Sequence, residues 1–120
     1  MKLFRSIAFF LSAAAVALTS PAVAAATTAA GSITITLKDH RFTPAAFAVA
    51  AGEKVRIVLV NQDAATEEFD SHDLKVEKLV TPNGRATFSI GPLKPGSYSF
   101  MGEFHPRSAQ GRVTVQEARP

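Results

Sequence analysis

Two residues apart, Glu103 and His105 stand between an alternating segment, Tyr98-Ser99-Phe100-Met101, and a proline at 106. A carboxylate and an imidazole at that spacing are the elements of a chelate. If strand alternation persists through the segment, residues i and i+2 share a face and both side chains reach one ion. Pro106 restricts His105 to extended backbone, which fixes the direction in which its ring leaves the chain. Oxygen donors combined with imidazole suit hard or borderline ions such as iron, manganese or Cu(II).

Further donors lie upstream. Glu67 and Glu68 are adjacent, so on an extended segment only one of them faces a common site. His72 and Asp73 follow within a few residues, and Met101 offers a thioether that suits Cu(I), although a methionine beside Phe100 reads equally as core filler. Glu77 before Lys78 reads as an outer ligand or a surface ion pair. His40 has no donor near it in sequence and reads as solvated. There is no cysteine anywhere, hence neither a thiolate ligand nor a disulfide. No nucleophile–base arrangement and no phosphate-binding glycine loop is present, so hydrolytic and nucleotide chemistry are not expected and no catalytic residue is named.

The elements that must hold these donors are short strands. Ser32–Lys38 alternates with Ile33, Ile35 and Leu37 on one face; Phe47–Val49 resumes alternation; Lys54–Asn61 ends as a continuous apolar run, the pattern of a strand buried on both faces. Gln62–Ser71 turns polar and acidic around Phe69 and reads as a loop or very short strand, and 74–80 is amphipathic without an assignable period. Arg85–Ile90, Ser97–Met101 and Gly111–Gln116 alternate again, separated by Pro82-Asn83-Gly84 and Pro92–Gly96. Seven to eight short strands with turn signals every 8 to 12 residues predict an all-β Greek-key sandwich.

Ahead of this domain, Lys2 and Arg5 precede an apolar run from Ile7 to Leu18 and an Ala22-Val23-Ala24 cleavage pattern. Residues 1–24 are therefore expected to be a cleaved signal peptide, 25–31 a flexible lead-in, and 32–117 a single domain outside the cytoplasm. Removal of the leader leaves eleven basic and ten acidic side chains. The basic residues are spread singly rather than in a stripe, which excludes nucleic acid as the expected partner.

The chain from about 33 to 116 resembles two related groups. Tyr98-Ser99-Phe100-Met101-Gly102-Glu103-Phe104-His105-Pro106 is similar to the Y-x-F-x-C-x-x-H-P strand and loop of cupredoxins, with Gly102 at the cysteine position and no thioether near Ala109 or Gln110. Asn61, Glu67-Glu68-Phe69-Asp70-Ser71, Glu77-Lys78 and Gly102-Glu103-Phe104-His105 together resemble the EfeO-type cupredoxin-like domains, periplasmic components of bacterial iron-uptake systems. The resemblance implies a cupredoxin-like sandwich that handles iron, or alternatively copper, beside an iron permease of the inner membrane. It places candidate metal ligands at Glu68, Glu103 and His105, with Glu67, Met101 and His72 behind them; Glu68 is preferred over Glu67 because it forms the E-F pair. An assisting role in ferrous oxidation is compatible with such ligands, and a trigonal blue-copper site is not. A metal-free interaction module and a copper carrier built on Met101, His105 and a carboxylate are the alternatives.

Overall fold

The computed structural model describes residues 12–17 and 31–117. Most of the expected leader and lead-in thus lies outside the described residues. Among the described residues no helix is long and apolar enough to cross a membrane.

Among the described residues nine strands form the domain: β1 (Ser32–Lys38), β2 (Arg41–Thr43), β3 (Ala46–Ala50), β4 (Val55–Asn61), β5 (Glu67–Ser71), β6 (Val76–Val80), β7 (Arg85–Ile90), β8 (Gly96–Gly102) and β9 (Gln110–Gln116). They make two sheets, ordered β2-β1-β4-β7 and β3-β9-β8-β5-β6. β1 pairs with β4, and β3 with β9, in parallel; the other pairings are antiparallel.

Period-two alternation explains the core. Ile33, Ile35 and Leu37 of β1 and Ile57 and Leu59 of β4 turn inward from one sheet, meeting Phe69, Phe100, Val113 and Val115 from the other. Phe69 is the centre of an aromatic cluster, with ring centroids 4.8 Å from Phe100, 4.7 Å from Phe88 and 5.9 Å from Phe42. These offset and edge contacts fix the strand that begins at Glu67.

One sequence expectation is corrected and another is resolved. β4 alternates in burial, with Arg56 exposed and Val58 and Val60 half-buried, because among the described residues no second layer covers the outer face of its sheet. Residues 67–80 form an antiparallel pair of five-residue strands, Glu67 opposite Val80 and Ser71 opposite Val76, so of loop and very short strand it is the strand that forms at 67–71, and the unassigned stretch is its partner. The edge strand β6 keeps only Val80 fully buried, so its sequence lacks the alternation that identifies inner strands.

Candidate metal centre

Three chain segments that are far apart in sequence end at one pole of the sandwich. The first is the two-residue turn between β1 and β2, where Lys38 pairs with Arg41 and Asp39 and His40 adopt φ of 51° and 56°. Positive φ at both central residues defines a type I′ hairpin turn, and Asp and His enter that region more readily than most non-glycine residues. The second is the start of β5. The third is the loop from Gly102 to Ala109, closed by the bond from Gly102 N–H to Ala109 C=O (2.8 Å), within which Ala109 N–H donates to His105 C=O (2.9 Å).

His40, Glu67 and His105 converge there, each with a ligand atom within 4.8 Å of the others. Glu67 is buried, its side chain 2% exposed. Its Oε1 accepts the backbone N–H of Phe104 (2.9 Å) and of Glu68 (3.1 Å), while Oε2 lies 2.6 Å from His105 Nδ1. A carboxylate out of water needs such donors, and here every one of them belongs to the site itself. The imidazole of His105 is covered by that of His40, with ring centroids 3.5 Å apart and planes inclined by 14°. His40 in turn has Nδ1 3.5 Å from Asp63 Oδ2. Asp63 accepts the backbone N–H of Asp39 (2.7 Å) and of His40 (2.9 Å). Burial pushes the Asp63 carboxyl up, but those two donors, together with the charge of the two histidines, outweigh it and hold the group below its ordinary value of 3.8.

Gly102 makes the arrangement possible. A Cβ placed there would lie 2.7 Å from Ala109 Cβ, 2.8 Å from Glu67 Cδ and 3.0 Å from Glu67 Oε1. The space a side chain would take is filled by the Glu67 carboxylate. A cysteine at 102 and the observed Glu67 cannot coexist, so the residues present do not fit a thiolate–copper centre.

Of the predicted ligands, the structure brings Glu67 and His105 together and leaves the other four outside this group. Glu68 lies on the opposite side of β5 from Glu67, as adjacent strand residues must. The preference for Glu68 is reversed by parity, since buried Phe69 faces the core and Glu67, not Glu68, belongs to the intervening buried set of β5. Glu103 leaves the strand as β8 ends at Gly102, and the turn that follows breaks the alternation that would have aligned it with His105. The hydrogen bond its protonated carboxyl can give Asp70, together with the charges of Asp70, Glu68 and Glu77, holds it above its ordinary 4.5. Met101 is exposed, opposite Asp70 and Gln110 on the outer face. His72 is exposed in the β5–β6 turn, five residues and roughly 17 Å along the chain from Glu67. Asp73 instead accepts the N–H (2.9 Å) and Oγ–H (3.0 Å) of Ser99. Sequence reasoning missed His40: its side chain is 42% exposed, but the expectation that it has no partner is overturned by its stack on His105. No local signal marks it, since its partners stand 23 and 65 positions away.

Comparison with known proteins agrees with this architecture. The cupredoxin-like domain family matches residues 8–115. The chain belongs to that family. An uncharacterized protein of Rickettsia prowazekii (strain Madrid E), RP394, is 42% identical to this cupredoxin-like chain over 85 residues, covering 71% of the chain and 68% of the relative. Among solved structures, the metal-binding domain of the Cu(I)-exporting P-type ATPase CopA of Streptococcus pneumoniae D39, with Cu(I), superposes with a TM-score of 0.66 at 16% identity, covering 76% of this chain and 92% of that domain. Auracyanin A, a blue copper protein of Chloroflexus aurantiacus, superposes with a TM-score of 0.61 at 16% identity, covering 71% and 98%. At such identity the likeness is one of fold. The cupredoxin-like sandwich is common to this chain and the two solved structures.

Proposed function

We propose that this cupredoxin-like domain is exported and binds iron as cargo at His40, Glu67 and His105, assisting its uptake or its oxidation beside an inner-membrane permease. The observation that carries this reading is the convergence of two imidazoles and one buried carboxylate from three separate segments. Two histidines with one carboxylate and open positions are a donor set suited to Fe(II). The hard carboxylate oxygen also favours the ferric state, so bound iron is more readily oxidised by an external acceptor. His105 and Glu67 already share a 2.6 Å contact that an ion replaces by taking the place of the shared proton. The leader-like N-terminal sequence supports export, and the resemblance to iron-uptake components supports the permease as partner.

The same donor set accommodates Cu(II), and copper is the second candidate ion, a fold neighbour being a domain solved with Cu(I). Calorimetric titration of the purified protein with Fe(II) under anaerobic conditions, then with Fe(III), Cu(II) and Mn(II), separates these. The expected result is one site for Fe(II), lost on Glu67→Ala and on His105→Ala. Tighter Cu(II) binding with no measurable iron binding would turn the reading to copper carriage. Absence of binding by every ion would leave the domain an interaction module.

A further inference from the structure

We propose that Asp63 is the positioning residue of this centre: it holds the β1–β2 turn in the one conformation that lays His40 against His105, and so decides whether the centre has two imidazoles or one. The inference rests on the reading of His40, Glu67 and His105 as a metal site.

The turn carrying His40 has little to hold it locally. Both of its central residues are in the left-handed region without being glycine, a conformation that persists only where surrounding structure over-determines it. In a type I′ turn the two central N–H groups point away from the hairpin and have no ladder partner. Here both are taken by one side chain, Asp39 N–H by Asp63 Oδ1 at 2.7 Å and His40 N–H by Asp63 Oδ2 at 2.9 Å. The two carboxylate oxygens therefore clamp the turn at two points, which fixes its orientation as well as its distance.

Asp63 is itself anchored to the elements that carry the rest of the centre. Its N–H donates to Asn61 Oδ1 (2.9 Å), and its C=O accepts Asn83 N–H (3.0 Å) from the turn between β6 and β7. Buried Asn61 spends its amide on Ala65 C=O (2.8 Å) and Thr81 C=O (3.0 Å). The segment leading into Glu67 is thereby tied to the same frame as the His40 turn. Asp63 Oδ2 also lies 3.5 Å from His40 Nδ1, so that nitrogen is turned toward Asp63 and Nε2 is the one left for an ion. At that distance the ring contact is an ionic one, and the two backbone hydrogen bonds are what set the position of His40.

The test is a double-mutant cycle read in two ways, with thermal unfolding as a folding control. In the metal-free protein, proton NMR of the His40 ring reports the stack on His105. Asp63→Ala is expected to abolish the ring-current shift, and Asp63→Asn, which retains one acceptor oxygen, to reduce it. With Fe(II) and with Cu(II) as probes, Asp63→Ala is expected to weaken binding by about 10- to 100-fold. The nitrogen hyperfine pattern of bound Cu(II) should change from two imidazoles to one. In a His40→Ala background the same substitution should add nothing. A persisting ring stack in Asp63→Ala, or an equal loss of affinity with and without His40, overturns the inference alone. Failure of the unaltered protein to bind either ion overturns the metal reading and takes this inference with it.

Discussion

Two groups of carboxylates sit within a few residues of one another, and they behave in opposite ways. At the pole of the sandwich a single carboxylate, Glu67, is buried with two backbone donors and an imidazole facing it. On the outer face of the five-stranded sheet, Glu103 stands beside Asp70, to which it can donate a hydrogen bond only when protonated, and the charges of Asp70, Glu68 and Glu77 act on it. The first group has its lone pairs aimed at positive or protonated partners, and the second has mainly its own kind for company. Number of acidic residues therefore does not mark the site. Convergent donors around one buried oxygen pair do, because a desolvated carboxylate survives only where something compensates its charge.

The comparison is broken most severely by filling the space that lets Glu67 in. Gly102→Ala places a methyl 2.8 Å from Glu67 Cδ and 2.7 Å from Ala109 Cβ, so the carboxylate must leave its pocket or the 102–109 loop must shift. Gly102 does not have the positive φ that glycine alone tolerates, which makes the effect one of volume. The expected outcome is loss of measurable metal binding in calorimetry, with a stability loss of about 1–3 kcal/mol by denaturant unfolding. Binding that survives Gly102→Ala at full affinity would show that Glu67 is not where the ion sits.

Exchanging single oxygens in the two groups sharpens the contrast. Glu67→Gln keeps an acceptor for Phe104 N–H and Glu68 N–H while turning an amide toward His105, so the fold is retained and the anionic ligand is not. Affinity for Fe(II) should fall by about 100-fold. Glu68→Gln, one residue along and on the other face, should leave affinity unchanged and move stability by less than about 0.5 kcal/mol. Equal losses in the two variants would dissolve the distinction between pole and face.

How much of this was legible follows from the same two regions. Alternation identified β1, β3, β7, β8 and β9 because each buries one face on a common core, and the sandwich follows from them. Parity was available for β5 as well: an inward Phe69 puts Glu67, two residues away, on its side of the strand, and the family-like E-F pair drew attention to the wrong neighbour. The chelate of Glu103 with His105 failed as a geometric expectation because it extended strand periodicity past Gly102, where the chain turns. His40 was beyond reach. Its position depends on Asp63 holding a turn from 23 residues away and on the packing of two sheets, and neither leaves a local pattern. Likewise the absence of cysteine at 102 was plain, whereas the use of that space by Glu67 required coordinates.

The smallest effect concerns the outer face alone. The Glu103 carboxyl is held above its ordinary 4.5, first by the hydrogen bond it can give Asp70 when protonated and then by the charges of Asp70, Glu68 and Glu77. A group whose folded value is raised stabilises the fold below its unfolded value, and that contribution disappears as pH rises through the folded one. At neutral pH the ionised Glu103 therefore repels its neighbours without return. Glu103→Gln removes one of the repelling charges and is expected to raise the melting temperature at pH 7 by a small amount, with metal affinity unchanged. As the pH is lowered through 4.5 and Glu103 of the unaltered protein takes up its proton, the two melting curves should draw together. A Glu103→Gln variant that melts lower at pH 7, or that loses metal, would mean that the face and the pole act as one site rather than two.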